Sequence, residues 1–305
     1  MRKITVTIPA STTNIGCGFD CLGLALSLYN TVEVEKIKGD EVIVEIEGEG
    51  RKLIPTNEEN IIFPALKMVF DRVGEKLKGL RIKEVNRIPL EKGLGSSAAT
   101  RLGGIVAASC LLKANLDTRE ILKMAVSLEG HPDNVAASLL GGFVAVTFCE
   151  TDPVWVKLPV PETLRVVIVI PDKKILTRRA RRVLPEKISF SDAVFNLSRL
   201  AILVPSLSQG IWENLALATQ DKLHQPYRTS LLPEMEDVFE AALDAGAKGV
   251  FLSGAGSGVA AFSFEDKAEK IGRTMQKVFL SRGTKANYLI LCVDKKGCRV
   301  DEKKH

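Results

Sequence analysis

The sequence predicts an α+β fold built in two halves, and three observations predict it. Strand patterns at 3–8, 30–36, 41–47 and 80–88 are interleaved with helix patterns through the first half. A polar stretch around 150–162, bearing Pro153, Pro159 and Pro161, interrupts the apolar patterning and marks a domain boundary. Beyond it, an apolar run at 164–170 and the order strand, glycine turn, strand, helix, strand form a split βαβ pattern with helices on one side. The two halves are 1–157 and 158–305.

Each element has a local reason. MRKITVTI alternates as a half-buried strand does, and so does EVIVEIE at 41–47. A helix over about 59–73 carries Pro64 near its first turn, where proline is tolerated. The strand at 80–88 stops at Pro89, and a helix opens at Ser96 or Ser97 and runs to about 114. Leu102, Ile105, Val106, Ser109 and Cys110 fall on one face of it. Asp117 and Glu120 make a capping-box pattern for a helix over 118–128. The run GGFVAVTF is a further strand, LRVVIVI a buried one, and TRRARRVLP a basic turn or short helix. Helices at about 189–204 and 233–245 precede strands at 248–252 and 258–263, a helix at 265–281 and a strand at 286–293.

Composition bounds the function. The chain has 305 residues, enough to bury a sizeable core, and only 6% are aromatic, which offers no base-stacking surface. Lys and Arg number 42 against 37 Asp and Glu; the net +5 suits a site for anionic small molecules and does not argue for nucleic acid. The six cysteines (17, 21, 110, 149, 292 and 298) include no CxxC pair, and Cys17 and Cys21 lack the second half of a zinc site. The N-terminus lacks the apolar core of a signal peptide, and apolar stretches such as 164–170 are too short to span a bilayer. A soluble cytoplasmic protein with no membrane or nucleic-acid partner is expected.

Residues 89–99, PLEKGLGSSAA, fill almost no core, and so invite a ligand. A helix starting at Ser96 or Ser97 leaves its first N–H groups unpaired, with partial positive charge from the aligned peptide dipoles. Gly93 and Gly95 allow positive φ and remove Cβ atoms that would hold a ligand away. The serine hydroxyls can cap the helix, donate to phosphate oxygens or join a magnesium shell. The stretch therefore reads as a phosphate cradle. It is not a Walker A loop, because no GK[ST] occurs in the chain, and there is no HRD or DFG set.

PLEKGLGSSAA resembles the PxxxGLGSSAA motif of the small-molecule kinase superfamily named for galactokinase, homoserine kinase, mevalonate kinase and phosphomevalonate kinase. PASTTNIGCGFDCLGL at 9–24 resembles its N-terminal substrate motif in the homoserine kinase version, and GVFLSGAGSGVAAF at 249–262 its glycine-rich third motif. The resemblance runs from about residue 4 to 293. It implies an N-terminal domain like domain 2 of ribosomal protein S5 and a ferredoxin-like C-terminal domain. It also implies ATP lying across Pro89, Gly93, Leu94, Gly95, Ser96, Ser97 and Ala98, with Mg²⁺ on Ser97 and Glu129.

EGHPDNVAASLLGG at 129–142 selects the branch. Where mevalonate kinase-like members place an aspartate proposed as base, this chain has Asn134, whose amide takes no proton at neutral pH. The resemblance then implies phosphoryl transfer by positioning and charge neutralisation, with Glu129, Asn134, Arg181 and Ser97 as the catalytic set. Asp133 is the alternative base if the register shifts by one. The substrate, L-homoserine, would meet Asn14, Asp20, His131, Thr177, Arg181 and Arg228. Of these, Thr177 and Arg181 match a Thr-x-x-Ala-Arg pattern and Arg228 a Pro-x-Arg segment, and two guanidinium forks suit a carboxylate and a transferring phosphate. His131 reads equally as a structural histidine, and Arg178, Arg179 and Arg182 as a solvated basic face. Cys17 stands where the first motif usually has proline, and Ala255, Ser257 and Gly258 depart from the third. Two other readings compete: a different small-alcohol kinase of the superfamily, and a ligand-binding relative that has lost catalysis. The expected partner is the small molecule L-homoserine, with a homodimer as the expected assembly.

Overall fold

A computed structural model describes residues 2–304. Two sheets organise it. The first takes β1 (Arg2–Asn14), β2 (Gly18–Lys36), β3 (Val42–Gly48) and β4 (Leu80–Asn86), with helix α1 (Ile62–Val73) between β3 and β4. Helices α2 (Ser96–Leu112), α3 (Thr118–Glu129) and α4 (Asp133–Leu140) follow, then β5 (Phe143–Cys149) and β6 (Asp152–Leu158). The second half runs β7 (Arg165–Pro171), α5 (Thr177–Arg182), α6 (Phe190–Gln209), α7 (Leu215–Ala218), α8 (Gln225–Arg228), α9 (Met235–Asp244), β8 (Gly249–Leu252), β9 (Val259–Ser263), α10 (Glu265–Ser281), β10 (Ala286–Cys292) and β11 (Arg299–Lys304).

The first sheet has the order β11-β1-β2-β4-β3, with the β5–β6 hairpin branching from the start of β2 at Leu22–Leu24. Among the described residues only β3 and β4 pair in parallel; the crossover between them is α1. The second sheet is antiparallel, in the order β10-β7-β9-β8. The expected α+β architecture is present.

Three differences from the expected elements have physical reasons. Strands β1 and β2 run on through the first motif, because Ser11, Thr12, Thr13 and Asn14 are buried polar residues that spoil the apolar alternation. The proline-bearing stretch after 150 contains β6, an edge strand in which Pro153 is admissible. The chain's last strand, β11, returns to pair antiparallel with β1, so residues 299–304 complete the first sheet, on the far side of the 157/158 division.

Helix α2 is buried on nearly every side, not along one face: Ala98, Ala99, Leu102, Gly103, Gly104, Ile105, Ala107 and Ala108 are all buried. Its small residues let α1 and the β1–β2 sheet approach closely; Gly104 lies against Ile62 and Ala65, Gly103 against Ile8 and Val32. LRVVIVI is buried on both faces, as its continuous apolar run requires. Val167 and Val169 face α9 and α10, whereas Val166 and Ile168 join the larger core with Leu203, Leu207 and Leu215. Helices thus cover both faces of the second sheet, which corrects the expectation of helices on one side.

The expectation that no apolar stretch reaches spanning length is corrected by α6, the one helix among the described residues long and apolar enough by length and composition. Asn196, Arg199 and Ser206 break up its apolar run in the sequence and hide it. Leu203 and Leu207 pack into the core, while Phe190, Val194 and Leu197 are exposed.

Candidate active site

Three turns meet at the junction of the two sheets. The first, between β1 and β2, holds Asn14, Ile15 and Asp20 at positive φ. Asn and Asp tolerate that region; for a β-branched isoleucine it is a strained placement of the kind concentrated at functional sites. The Asn14 side chain stitches the turn internally by accepting from the Asp20 N–H at 3.0 Å, and ties it to a distant segment by donating to the Gly254 carbonyl at 2.9 Å.

The second turn is GLGSS. Gly95, at φ +73°, precedes α2, and no side chain caps the helix. The N–H groups of residues 96–98 therefore have no intrahelical partner, the condition for an anion site. The two glycines owe their identity to the protein and not to a ligand. A Cβ on Gly93 would come within 1.8 Å of the Ser253 carbonyl oxygen, and one on Gly95 within 2.3 Å of Ser11 Oγ. The third turn, 253–258, thus grips the second. Ser253 Oγ donates to the Gly93 carbonyl at 2.7 Å, and Lys92 Nζ reaches back to the carbonyls of Pro171 and Lys173.

Charged groups line the cleft between these turns. Arg181, from α5, makes a two-pronged ion pair with Asp20 at 2.7 and 2.8 Å. Arg228, from α8, is buried, and donates to the carbonyls of Ala180 and Gly254. Burial, then the neighbouring Arg181 charge, lower its pKa to about 10, so it remains a cation at neutral pH. Both guanidiniums lie over the Phe19 ring, at 5.5 and 5.4 Å.

On the opposite wall Ser97 Oγ donates to Glu129 Oε2 at 2.9 Å, and Arg101, one turn further along α2, donates to both. His131 Nδ1 lies 2.7 Å from Asp133 Oδ1, which also accepts the Asn134 N–H. Burial alone would push the His131 pKa down; the hydrogen bond to Asp133 and the charges of Asp133 and Glu129 overcome it and raise the pKa. Burial likewise pushes Asp133 up, and the bonds from His131 and Asn134 more than offset it, leaving Asp133 below the usual carboxylate range. Asp133 is accordingly a poor base. Asn134 faces Ser11 and Thr13, accepting from one at 2.9 Å and donating to the other at 3.3 Å.

Asn14, Asp20, Pro89, Gly93, Leu94, Gly95, Ser96, Ser97, Glu129, His131, Asn134, Thr177, Arg181 and Arg228 all border this one cleft. Ala98 does not; its side chain is wholly within the core, which leaves only its N–H to serve a ligand. Sequence reasoning passed over Phe19, Lys92, Arg101 and His224. Phe19 and Lys92 sit inside the quoted motifs, and Arg101 and His224 stand four residues from Ser97 and Arg228, a spacing that places side chains together on a helix.

Known proteins resemble this chain along nearly its whole length. Residues 60–142 match the GHMP kinases N terminal domain and residues 203–280 the GHMP kinases C terminal domain. The chain is 41% identical to a homoserine kinase of Caldicellulosiruptor bescii, over 97% of this chain and 96% of that one. It is 42% identical to a homoserine kinase of Caldanaerobacter subterraneus over 97% and 95%. The crystal structure of a homoserine kinase from Cytophaga hutchinsonii superposes with a TM-score of 0.89 at 32% identity, covering 98% and 97% of the two chains. A mevalonate diphosphate decarboxylase from Staphylococcus aureus shares the fold at 15% identity (TM-score 0.74, 99% and 98% covered). With three glycine-rich turns closing on one cleft lined by charges of both signs, and with relatives matched from end to end, the chain belongs to the GHMP kinase family and to its homoserine kinase branch.

Proposed function

We propose that this chain transfers the γ-phosphoryl group of ATP to the hydroxyl of L-homoserine, giving O-phospho-L-homoserine and ADP. The observation that carries this is the placing of a set of opposite charges, Asp20 with Arg181 and Arg228, in one cleft with the phosphate cradle at 93–98. The N–H groups at Ser96, Ser97 and Ala98 suit the nucleotide's phosphates, with Pro89, Gly93, Leu94 and Gly95 shaping the turn. The carboxylate of homoserine suits Arg228 and Arg181, and its ammonium suits Asp20, which Asn14 holds in place. Thr177 and His131 border the same pocket.

Ser97 and Glu129 would suit a magnesium ion in place of the Arg101 guanidinium that bridges them: a hydroxyl and a carboxylate 2.9 Å apart are a hard-oxygen pair that leaves the remaining positions to water and phosphate. Such an ion would neutralise phosphate charge during transfer. Neither Asp133, which is already engaged, nor Asn134, which cannot take a proton, stands free as a strong base. Positioning by Asn134 and charge stabilisation by Arg181 are then the protein's contribution, and the hydroxyl proton leaves late.

A coupled ADP-release assay over homoserine, mevalonate and shikimate tests this. Turnover of homoserine alone is expected; turnover of mevalonate or shikimate with none of homoserine overturns it. Nucleotide binding without any turnover would favour a silent relative. The chemistry suits the cytoplasm, where ATP is available, and sedimentation would decide whether the working unit is a homodimer.

A further inference from the structure

His224 is the most enclosed titratable group near the cleft, yet it does not line it. Its Nε2 lies 2.7 Å from the Gly16 carbonyl oxygen, which can only accept, so this nitrogen carries the proton. Its Nδ1 is then the bare acceptor for Arg228 Nη1, at 3.1 Å. Only the neutral tautomer protonated on Nε2 satisfies both partners. Burial, opposed by the Asp221 charge and assisted by that of Arg228, brings the ring's pKa down to about 4, consistent with that tautomer at neutral pH. Asp221 is in turn committed, taking the N–H groups of Leu223, His224 and Gln225 and the Asn196 amide. The ring also stacks on Phe19, at 5.1 Å between centroids.

Arg228 thus has three anchors: the Ala180 carbonyl on the helix bearing Thr177 and Arg181, the Gly254 carbonyl of the third turn, and His224. Two are backbone groups fixed by the fold. The third is a side chain that links Arg228 to the first turn through Gly16. We propose that His224 is a positioning residue, which through its Nδ1 acceptor orients the Arg228 guanidinium toward the substrate carboxylate. This rests on the reading of Arg228 as a homoserine-binding group.

Two amide isosteres separate the two ring nitrogens. In His224→Gln the terminal amide falls near Nε2 and can keep the bond to Gly16, while the acceptor for Arg228 is lost. In His224→Asn the amide falls near Nδ1 and can keep the acceptor, while Gly16 loses its donor. Both remove the ring's packing, so both are expected to lower the melting temperature by similar amounts. The homoserine KM is expected to rise on the order of tenfold in the Gln variant, with recovery toward wild type in the Asn variant and an unchanged KM for ATP in both. Equal KM values in the two variants, or a rise for ATP as large as that for homoserine, would overturn the assignment. Arg228→Gln is the independent arm. If its homoserine KM is unchanged, the substrate reading of Arg228 falls. If its KM rises while both His224 variants keep the wild-type value, the positioning role alone falls.

Discussion

Arg181 closes both arms of its guanidinium on the carboxylate of Asp20, at 2.7 and 2.8 Å, across 161 residues of sequence. The two groups that suit opposite ends of an amino acid are thus one electrostatic unit before any substrate arrives. Phe19 lies beneath Arg181, so the pair is oriented by the ring as well as by its own fork.

The effects of Asp20→Asn and Arg181→Gln on homoserine KM should therefore not add. Each is expected to raise KM on the order of tenfold or more. The double variant should fall short of the product by about 1–3 kcal/mol of coupling, the range for contacting residues. A double-mutant cycle on KM measures it. Independent, additive effects would mean that the pair does not act as a unit.

Arg101 holds the place at which Ser97 and Glu129 converge, donating to both oxygens. A guanidinium there offers a resident positive charge to a carboxylate otherwise suited to a metal ion. Arg101→Gln is expected to strengthen Mn²⁺ binding to the nucleotide-free protein, by about tenfold for one displaced cation. Titration calorimetry reads this without turnover. An unchanged or weaker affinity would show that Arg101 does not compete for Glu129.

Much of the site was legible because its chemistry is local. GLGSS placed the start of α2, the 117–120 capping box placed α3, and fourteen of the expected site residues border one cleft. What was not legible is long-range. Nothing near Arg299 announces that residues 299–304 pair with β1, and the buried polar run from Ser11 to Asn14 carries no strand periodicity. The reason for Gly93 and Gly95 was likewise hidden. Local chemistry suggests room for phosphate, whereas the space is taken by Ser253 and Ser11, far away in the chain.

That packing makes Gly93 a structural test. At φ +72°, with the Ser253 carbonyl oxygen 1.8 Å from where a Cβ would sit, Gly93→Ala must displace backbone in two turns at once. A loss of at least about 2–3 kcal/mol is expected, from strain at positive φ and disruption of the neighbouring turn. Chemical denaturation measures it. A stability within about 0.5 kcal/mol of wild type, the usual range for harmless surface changes, would contradict the tight seat assigned to Gly93.

The pairing of His131 with Asp133 fixes a pH window, and the two signs must be taken separately. His131 has its pKa raised above 6.5, so its share of stability is fully present below 6.5 and is lost as pH rises through the raised value. Asp133 has its pKa lowered below 3.8, so its share is present above 3.8 and is lost as pH falls through the lowered value. The ion pair therefore supports the fold most fully between the two ordinary values, with Glu129 adding to the pull on His131 and Arg181 opposing it. The melting-temperature difference between wild type and His131→Asn is expected to be larger at pH 6 than at pH 9. Asp133→Asn should reverse the shift: with its main partner gone, burial dominates and the ring titrates below 6.5 in an NMR experiment. A His131 that still titrates above 6.5 in that variant would show that Asp133 is not what holds its proton.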